Sequence, residues 1–192
     1  MNAPFSRQII DTLKDKQVTF FTSVPCKLLA NMITLLEQDT AVSYHPATRE
    51  DEGLGMCAGA SLAGKTTCIL MQDSGLGTII NALAALVQFY QLPIVMLMRY
   101  RGSPGEPVPA QAPMGMLTPE LLKLMQIPML HCHEAKDLNE IASYVDFARV
   151  KQGPLGDVPQ HPGCRSIGRF PGPLCRGRGW SRFIRERPYR RR

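Results

Sequence analysis

The sequence predicts an α/β protein: a three-layer fold with a mostly parallel sheet and helices on both faces. Three observations predict it. The chain has 192 residues, 44% of them hydrophobic and 20% charged, which suits a globular domain with a real core. Over the first 150 residues, segments with helical apolar spacing alternate with short β-branched or aromatic runs. That alternation is the pattern of crossover units, which lay successive strands parallel and cover both faces with helices.

The elements follow in order. Residues 4–16 read as a helix, with Phe5, Ile9, Ile10 and Leu13 on its apolar stripe. Val18 to Thr22 is a short strand. Residues 26–37 return to helical spacing, and Ala41 to Tyr44 is a second strand. Helix 49–63, strand 67–72, helix 77–90 and strand 93–98 come next. Residues 99–117 form a long loop. Thr118-Pro119-Glu120 then opens a helix, with Thr as N-cap and Pro at the first helical position. Residues 128–131 read as a strand and 136–149 as the last helix.

After Val150 the pattern stops, as though the chain leads into a final strand that never arrives. The domain is therefore 1–150. Residues 151–192 form a tail crowded with Pro, Gly and Arg, read as disordered or translated out of frame. Charge divides at the same place. Residues 1–150 carry 11 Lys+Arg against 14 Asp+Glu, a net −3, whereas the tail carries 11 against 2, a net +9. The overall +6 thus belongs to the tail, and a nucleic-acid partner is disfavoured because the tail has no repeated basic-aromatic motif. No apolar run reaches membrane-span length and no secretory signal opens the chain, so no membrane association and a cytoplasmic location are expected.

The six cysteines include no Cys-x-x-Cys pair and read as free, partly buried thiols. His131-Cys132-His133 does not make a metal site, because adjacent strand residues point to alternate faces and a closed site needs convergent ligands.

Candidate chemistry gathers between residues 45 and 115. Glu50, Asp51 and Glu52 begin a helix, where carboxylates complement its dipole. Thr48 and Asp51 form a capping-box-like pair there. The same helix runs through Gly53, Gly55, Ala58, Gly59, Ala60, Ala63 and Gly64. Such a helix is poor by propensity and makes sense where another backbone approaches closely, as at a subunit interface. Met71-Gln72-Asp73-Ser74-Gly75-Leu76-Gly77-Thr78 is a glycine turn between strand and helix, suited to bringing main chain near a flat or anionic ligand. It is neither the dinucleotide fingerprint nor a P-loop. Arg99 and Arg101 end a strand, a position that suits an anionic substrate. His45 ends another strand beside this cluster.

Together, Arg49-Glu50-Asp51-Glu52-Gly53, Cys57-Ala58-Gly59-Ala60, Met71 through Gly77, Ile80-Asn81-Ala82-Leu83, Arg101-Gly102 and Pro109-Ala110-Gln111-Ala112-Pro113-Met114-Gly115 resemble the α subunits of sulfopyruvate decarboxylases. These are the pyrimidine-binding halves of thiamine-diphosphate enzymes, and phosphonopyruvate decarboxylases carry both halves in one chain. The resemblance covers about residues 4–150. Ser23-Val24-Pro25-Cys26 also resembles the family's first loop. It implies that Glu50, nine residues before Gly59, hydrogen-bonds the pyrimidine N1′ and stabilises the imino tautomer, whose nitrogen deprotonates the thiazolium.

Val24, Pro25, Ser74, Gly75, Leu76 and Gly77 would complete the cofactor's pyrimidine pocket. Cys26, Lys27, His45, Arg101 and Gln111 would face a 2-oxo acid with an anionic 3-substituent. The motif departs from the family at Asp73 and Thr78, where Asn is usual. The family's diphosphate motif has no full counterpart, so Mg²⁺ and the diphosphate fall to a separate β subunit. Competing expectations are a phosphonopyruvate decarboxylase subunit, a catalytically dead or regulatory paralogue, and a nucleic-acid-binding module.

Overall fold

The computed structural model describes residues 3–102 and 105–150. The tail and its proposed disorder or frameshift lie outside the described residues. Four strands, β1 (Val18–Ser23), β2 (Ser43–Pro46), β3 (Thr66–Gln72) and β4 (Ile94–Arg99), form one sheet in the order β2-β1-β3-β4, with every pair parallel. The helices are α1 (Ala3–Asp15), α2 (Ala30–Gln38), α3 (Glu50–Leu62), α4 (Leu76–Ala82), α5 (Ala112–Leu124) and α6 (Leu138–Val150). α4 continues into a π-helical turn, Leu83–Gln88.

β3 is the centre, and its first six residues are buried. Its side chains alternate between two cores, as strand geometry requires. Cys68 and Leu70 join Ile9, Leu13 and Phe21, with Met32 and Leu36 of α2 and Ile141 and Val145 of α6. Ile69 and Met71 join Leu54 and Cys57 of α3, Leu76 and Ile79 of α4, and Leu122 of α5. The three-layer expectation holds, with α1, α2 and α6 on one face and α3, α4 and α5 on the other. Among the described residues no helix is long and apolar enough to cross a membrane.

Three expectations are corrected. The second strand starts at Ser43 rather than Ala41, because Asp39 accepts a hydrogen bond from the Ala41 amide at 2.9 Å and holds a turn there. Residues 128–131 join no strand ladder. Pro128 has no N–H to give, and the Met129 carbonyl accepts instead from the Tyr144 hydroxyl of α6 at 3.2 Å.

The largest correction is α5, which begins at Ala112 rather than after Thr118. Thr118 is buried in mid-helix and Pro119 sits inside the helix. A helical proline cannot bond the carbonyl four residues back, which is that of Gly115. The Tyr100 hydroxyl donates to that carbonyl at 2.6 Å, so the bond the proline removes is replaced from outside the helix.

Candidate active site

In a parallel sheet the chain reverses its winding at one place, and ligands gather there beyond the strands' carboxyl ends. Here the winding runs from β1 out to β2 and then back across β1 to β3, so the switch lies between β1 and β3. The Val24 amide donates to the Leu70 carbonyl at 3.0 Å and draws the loop after β1 onto β3. Pro25, Cys26 and Lys27 follow, with Lys27 exposed.

Across the switch, β3 ends in Gln72, the hub of a polar network. Its Nε2 donates to Ser74 Oγ at 2.9 Å and to Gln111 Oε1 at 3.0 Å. Its Oε1 accepts from Cys26 Sγ at 3.7 Å and from Arg101 Nη1 at 3.4 Å. The structure thus brings together Cys26, Ser74, Arg101 and Gln111. The Arg101 guanidinium grips Glu106 bidentately, through Nη2 at 2.6 Å and Nε at 2.7 Å. Arg101 is therefore already paired, and only Nη1 turns toward Gln72. The hydrogen-bonded Arg101 guanidinium, chiefly, and the amides of Val108 and Gly102 hold the Glu106 carboxyl at about 2, against burial, which pulls it up. Neither Gln72 nor Glu106 was a candidate from sequence. Gln72 stood inside the quoted motif, whereas Glu106 sits in a Pro/Gly loop where no local signal marks it.

The loop holding Arg101 is clamped by two glycines. Gly102 adopts φ +73°, and a Cβ there would overlap the Gln111 carbonyl. A Cβ on Gly115 would overlap the Arg101 carbonyl and Gly102. Backbone therefore rests on backbone where α5 meets the end of β4.

Glu50 opens α3. Its side chain lies directly over Gly75, where any Cβ would overlap its carboxyl group. Its recorded hydrogen bond among the described residues is a long one, 3.4 Å from Thr78 Oγ1. Leu76 is buried beneath this turn, while Gly77 and Thr78 are exposed. The neighbouring acids cap the helix, though not in the expected pairing. Glu52 accepts from both the amide and the hydroxyl of Thr48, each at 2.8 Å, and Asp51 pairs with Arg49 at 3.0 Å. The extra residue of reach arises because Arg49, not Thr48, is the N-cap. The Glu52 carboxyl is lowered by those Thr48 bonds.

His45 is not drawn into this network. It is exposed on β2 with its ring stacked on Phe20 at 5.3 Å, and two strands separate it from Arg101, roughly 14 Å of sheet. A cleft of about 510 Å³ lies elsewhere, lined by Phe5, Arg99, Cys132 and His133 among others, and holds none of the converging residues. Among the described residues no group of three His, Cys, Asp or Glu is placed to hold a metal. Cys26, Cys57, Cys68 and Cys132 are free, and burial pushes the Cys57 thiol up to about 12.

No protein-family model matches the chain. Among curated proteins, the chain is 47% identical over 146 residues to the sulfopyruvate decarboxylase subunit alpha of Methanocaldococcus jannaschii, covering 76% of this chain and 86% of that one. It is 44% identical over 128 residues to the corresponding subunit of Methanothermobacter thermautotrophicus, covering 67% and 78%. The chain belongs to the sulfopyruvate decarboxylase alpha-subunit family. Phosphonopyruvate decarboxylase of Streptomyces viridochromogenes is 38% identical over 108 residues, 56% of this chain but 27% of that longer protein. The stretch shared with the alpha-subunit family is long enough to take in most of the described fold, and the polar network and Glu50 lie within that fold.

Proposed function

We propose that this chain is the alpha subunit of a cytoplasmic, thiamine-diphosphate-dependent decarboxylase that converts 3-sulfopyruvate to sulfoacetaldehyde and CO₂ together with a beta subunit. The observation that carries the reading is Glu50. Its carboxyl group lies across Gly75, with one long internal hydrogen bond and an open glycine-rich surface beside it. Such an under-bonded acid suits a ring nitrogen arriving from outside the chain. The cofactor, when bound, supplies the nucleophilic carbon that adds to the 2-oxo group and the electron sink that makes loss of CO₂ feasible.

The chain's own residues do the rest. Glu50 holds and moves a proton at the pyrimidine N1′. Val24, Pro25, Ser74, Gly75, Leu76 and Gly77 line the pyrimidine's approach, with Gln72 fixing Ser74. Lys27, exposed beside Cys26, is the cation available to the anionic 3-substituent. Arg101 is tempered by Glu106 and orients through Gln72 and Gln111 rather than acting as a bare charge. Mg²⁺ and the diphosphate are assigned to the beta subunit, and His45 stands outside the network. A 3-phosphonate substrate is the second reading, favoured by the likeness to phosphonopyruvate decarboxylase.

The test is CO₂ release by the chain co-expressed with its beta-type partner, given thiamine diphosphate, Mg²⁺ and either 3-sulfopyruvate or 3-phosphonopyruvate. Turnover is expected to require both chains and to favour the sulfonate. Glu50→Gln is expected to lower kcat by about 10²-fold or more while sparing assembly. Activity within about threefold of wild type would remove Glu50 from the chemistry.

A further inference from the structure

Asp73 is fully buried, at 0% exposure, in the turn that joins β3 to α4. Neither carboxyl oxygen makes a hydrogen bond of ordinary geometry. Among the described residues no cation pairs with it: Arg101, whose charge acts on it, is engaged by Glu106 and Gln72, and Arg99 forms no ion pair there. A carboxylate in that position would be a buried charge with no ion-pair partner among the described residues, which is strongly unfavourable. Proteins avoid that cost by keeping the group neutral. The amides of Arg101, Ser74 and Asp73 itself approach the carboxyl and pull the other way, but burial outweighs them and raises its pKa.

The position gives the proton a purpose. Two residues on is Gly75, the floor on which Glu50 lies. We infer that Asp73 is a positioning residue that works as a neutral acid: uncharged, it stays packed inside the Asp73–Gly75 turn and so keeps in place the floor on which Glu50 lies. Its catalytic consequence rests on the function proposed above; its effect on stability does not.

The charged groups around the turn agree with this. From the loop after β4 come Arg101 and Glu106, already paired. From β4 comes Arg99, beside Gln72 in the ladder. From α3 comes the Glu50 carboxyl, a like charge. α5 packs against the turn, and its charged residues, Glu120 and Lys123, are exposed.

The sign follows from linkage. Asp73 ionises at its ordinary value in the unfolded chain and at a raised value in the folded one. Stability is full below the ordinary value, falls as pH rises toward the folded value, and is constantly lower above it. Asp73→Asn has the same shape but cannot ionise.

The experiment measures thermal unfolding of the full chain, wild type and Asp73→Asn, from about pH 5 to pH 9. The gap in Tm is expected to open in favour of Asn as pH rises, by about 4 °C or more. The difference infrared spectrum of the pair should also show a protonated carboxyl band in wild type. If the Asn variant does not fold, the loss of that band with rising pH in wild type decides alone. Parallel Tm curves, or no such band, overturn the inference. With the beta-type partner present, kcat of wild type should fall at alkaline pH and that of Asp73→Asn should not. Coincident kcat profiles would overturn the positioning role. If the Tm gap opens but neither protein turns over 3-sulfopyruvate, the functional reading fails while the buried proton stands.

Discussion

The two ends of the site are built differently. At the ends of β3 and β4 the polar groups find partners within the chain. Gln72 is bonded through both amide atoms, and Glu106, 9% exposed, is held by Arg101 and two amides. Along α3 and the start of α4 the opposite holds. Among the described residues Glu50 has one long bond, and a Cβ on Gly55, Gly59 or Gly77 would meet nothing within 4 Å. Each helix glycine costs about 1 kcal/mol relative to alanine. At Gly53 the chain recovers something, because Ile69, Ala47 and Thr22 crowd the missing side chain. At Gly55 and Gly59 nothing among the described residues does so. The difference teaches that one half of the candidate site is bonded within this chain, while the other presents an open small-residue surface that suits the approach of the proposed partner's backbone.

The comparison breaks most visibly at Gly59. Gly59→Leu fills empty space in the isolated chain and replaces a poor helix former with a good one. The full chain should unfold at the same temperature or slightly higher, by about 0.5–1 kcal/mol. Capture of the beta-type partner should nevertheless fall by at least about tenfold, because backbone can no longer approach. A variant that binds the partner normally would show that this face lies outside the interface.

The finished half is tested at Tyr100. Tyr100→Phe leaves the Gly115 carbonyl without its donor inside α5 and should cost about 1–2 kcal/mol in denaturant unfolding. Adding Pro119→Ala to that variant returns a helical N–H to the same carbonyl. The second change should therefore recover more stability in the Phe background than in wild type, a non-additivity that a double-mutant cycle reads directly. Additive effects would mean that the hydroxyl and the proline are not coupled.

That pair also shows what sequence could and could not convey. The two-faced sheet was legible because helical and strand signals alternate along the first 150 residues, and β3 fits it with a continuous apolar run, Cys68 to Met71, that only two covered faces accommodate. That Glu50 opens a helix and that a glycine turn joins β3 to the next helix were legible because local sequence carries both. The start of α5 was not. Thr118-Pro119-Glu120 has the local chemistry of a helix start, and only a hydroxyl from Tyr100, fifteen residues before Gly115, lets the helix run through it. Gln72 escaped for the same reason: its partners Cys26, Arg101 and Gln111 stand on the loop after β1, the loop after β4 and the approach to α5, and no window of sequence contains those together. Glu106 escaped differently, since Arg101, Gly102 and Val108 are its near neighbours in sequence but a Pro/Gly loop has no period that says which of its side chains turn toward each other. The capping pair failed more narrowly: Thr48 was the right residue, but the cap falls at Arg49, so Glu52 reaches it instead of Asp51.

The smallest expected effect lies at the far end of α5. Gln126 follows that helix with φ +57°, in the left-handed region. The amides of Gln126 and Ile127 turn back to the carbonyls of Lys123 and Leu122, at 3.0 and 2.9 Å, the closing bonds of a Schellman cap. The position suits glycine, and a side chain there costs about 1–2 kcal/mol. Gly regains most of that and returns part as unfolded-state entropy, leaving a net gain of about 0.5–1 kcal/mol for Gln126→Gly. The Gln126 side chain is exposed, so little packing is lost with it. Tm should rise by about 1–4 °C, with partner capture unchanged. That outcome would separate stability from assembly: α5 can be strengthened behind the internally bonded half of the site without altering the face proposed to meet a partner. A fall in Tm would mean that the Gln126 side chain holds the cap through contacts beyond its backbone geometry.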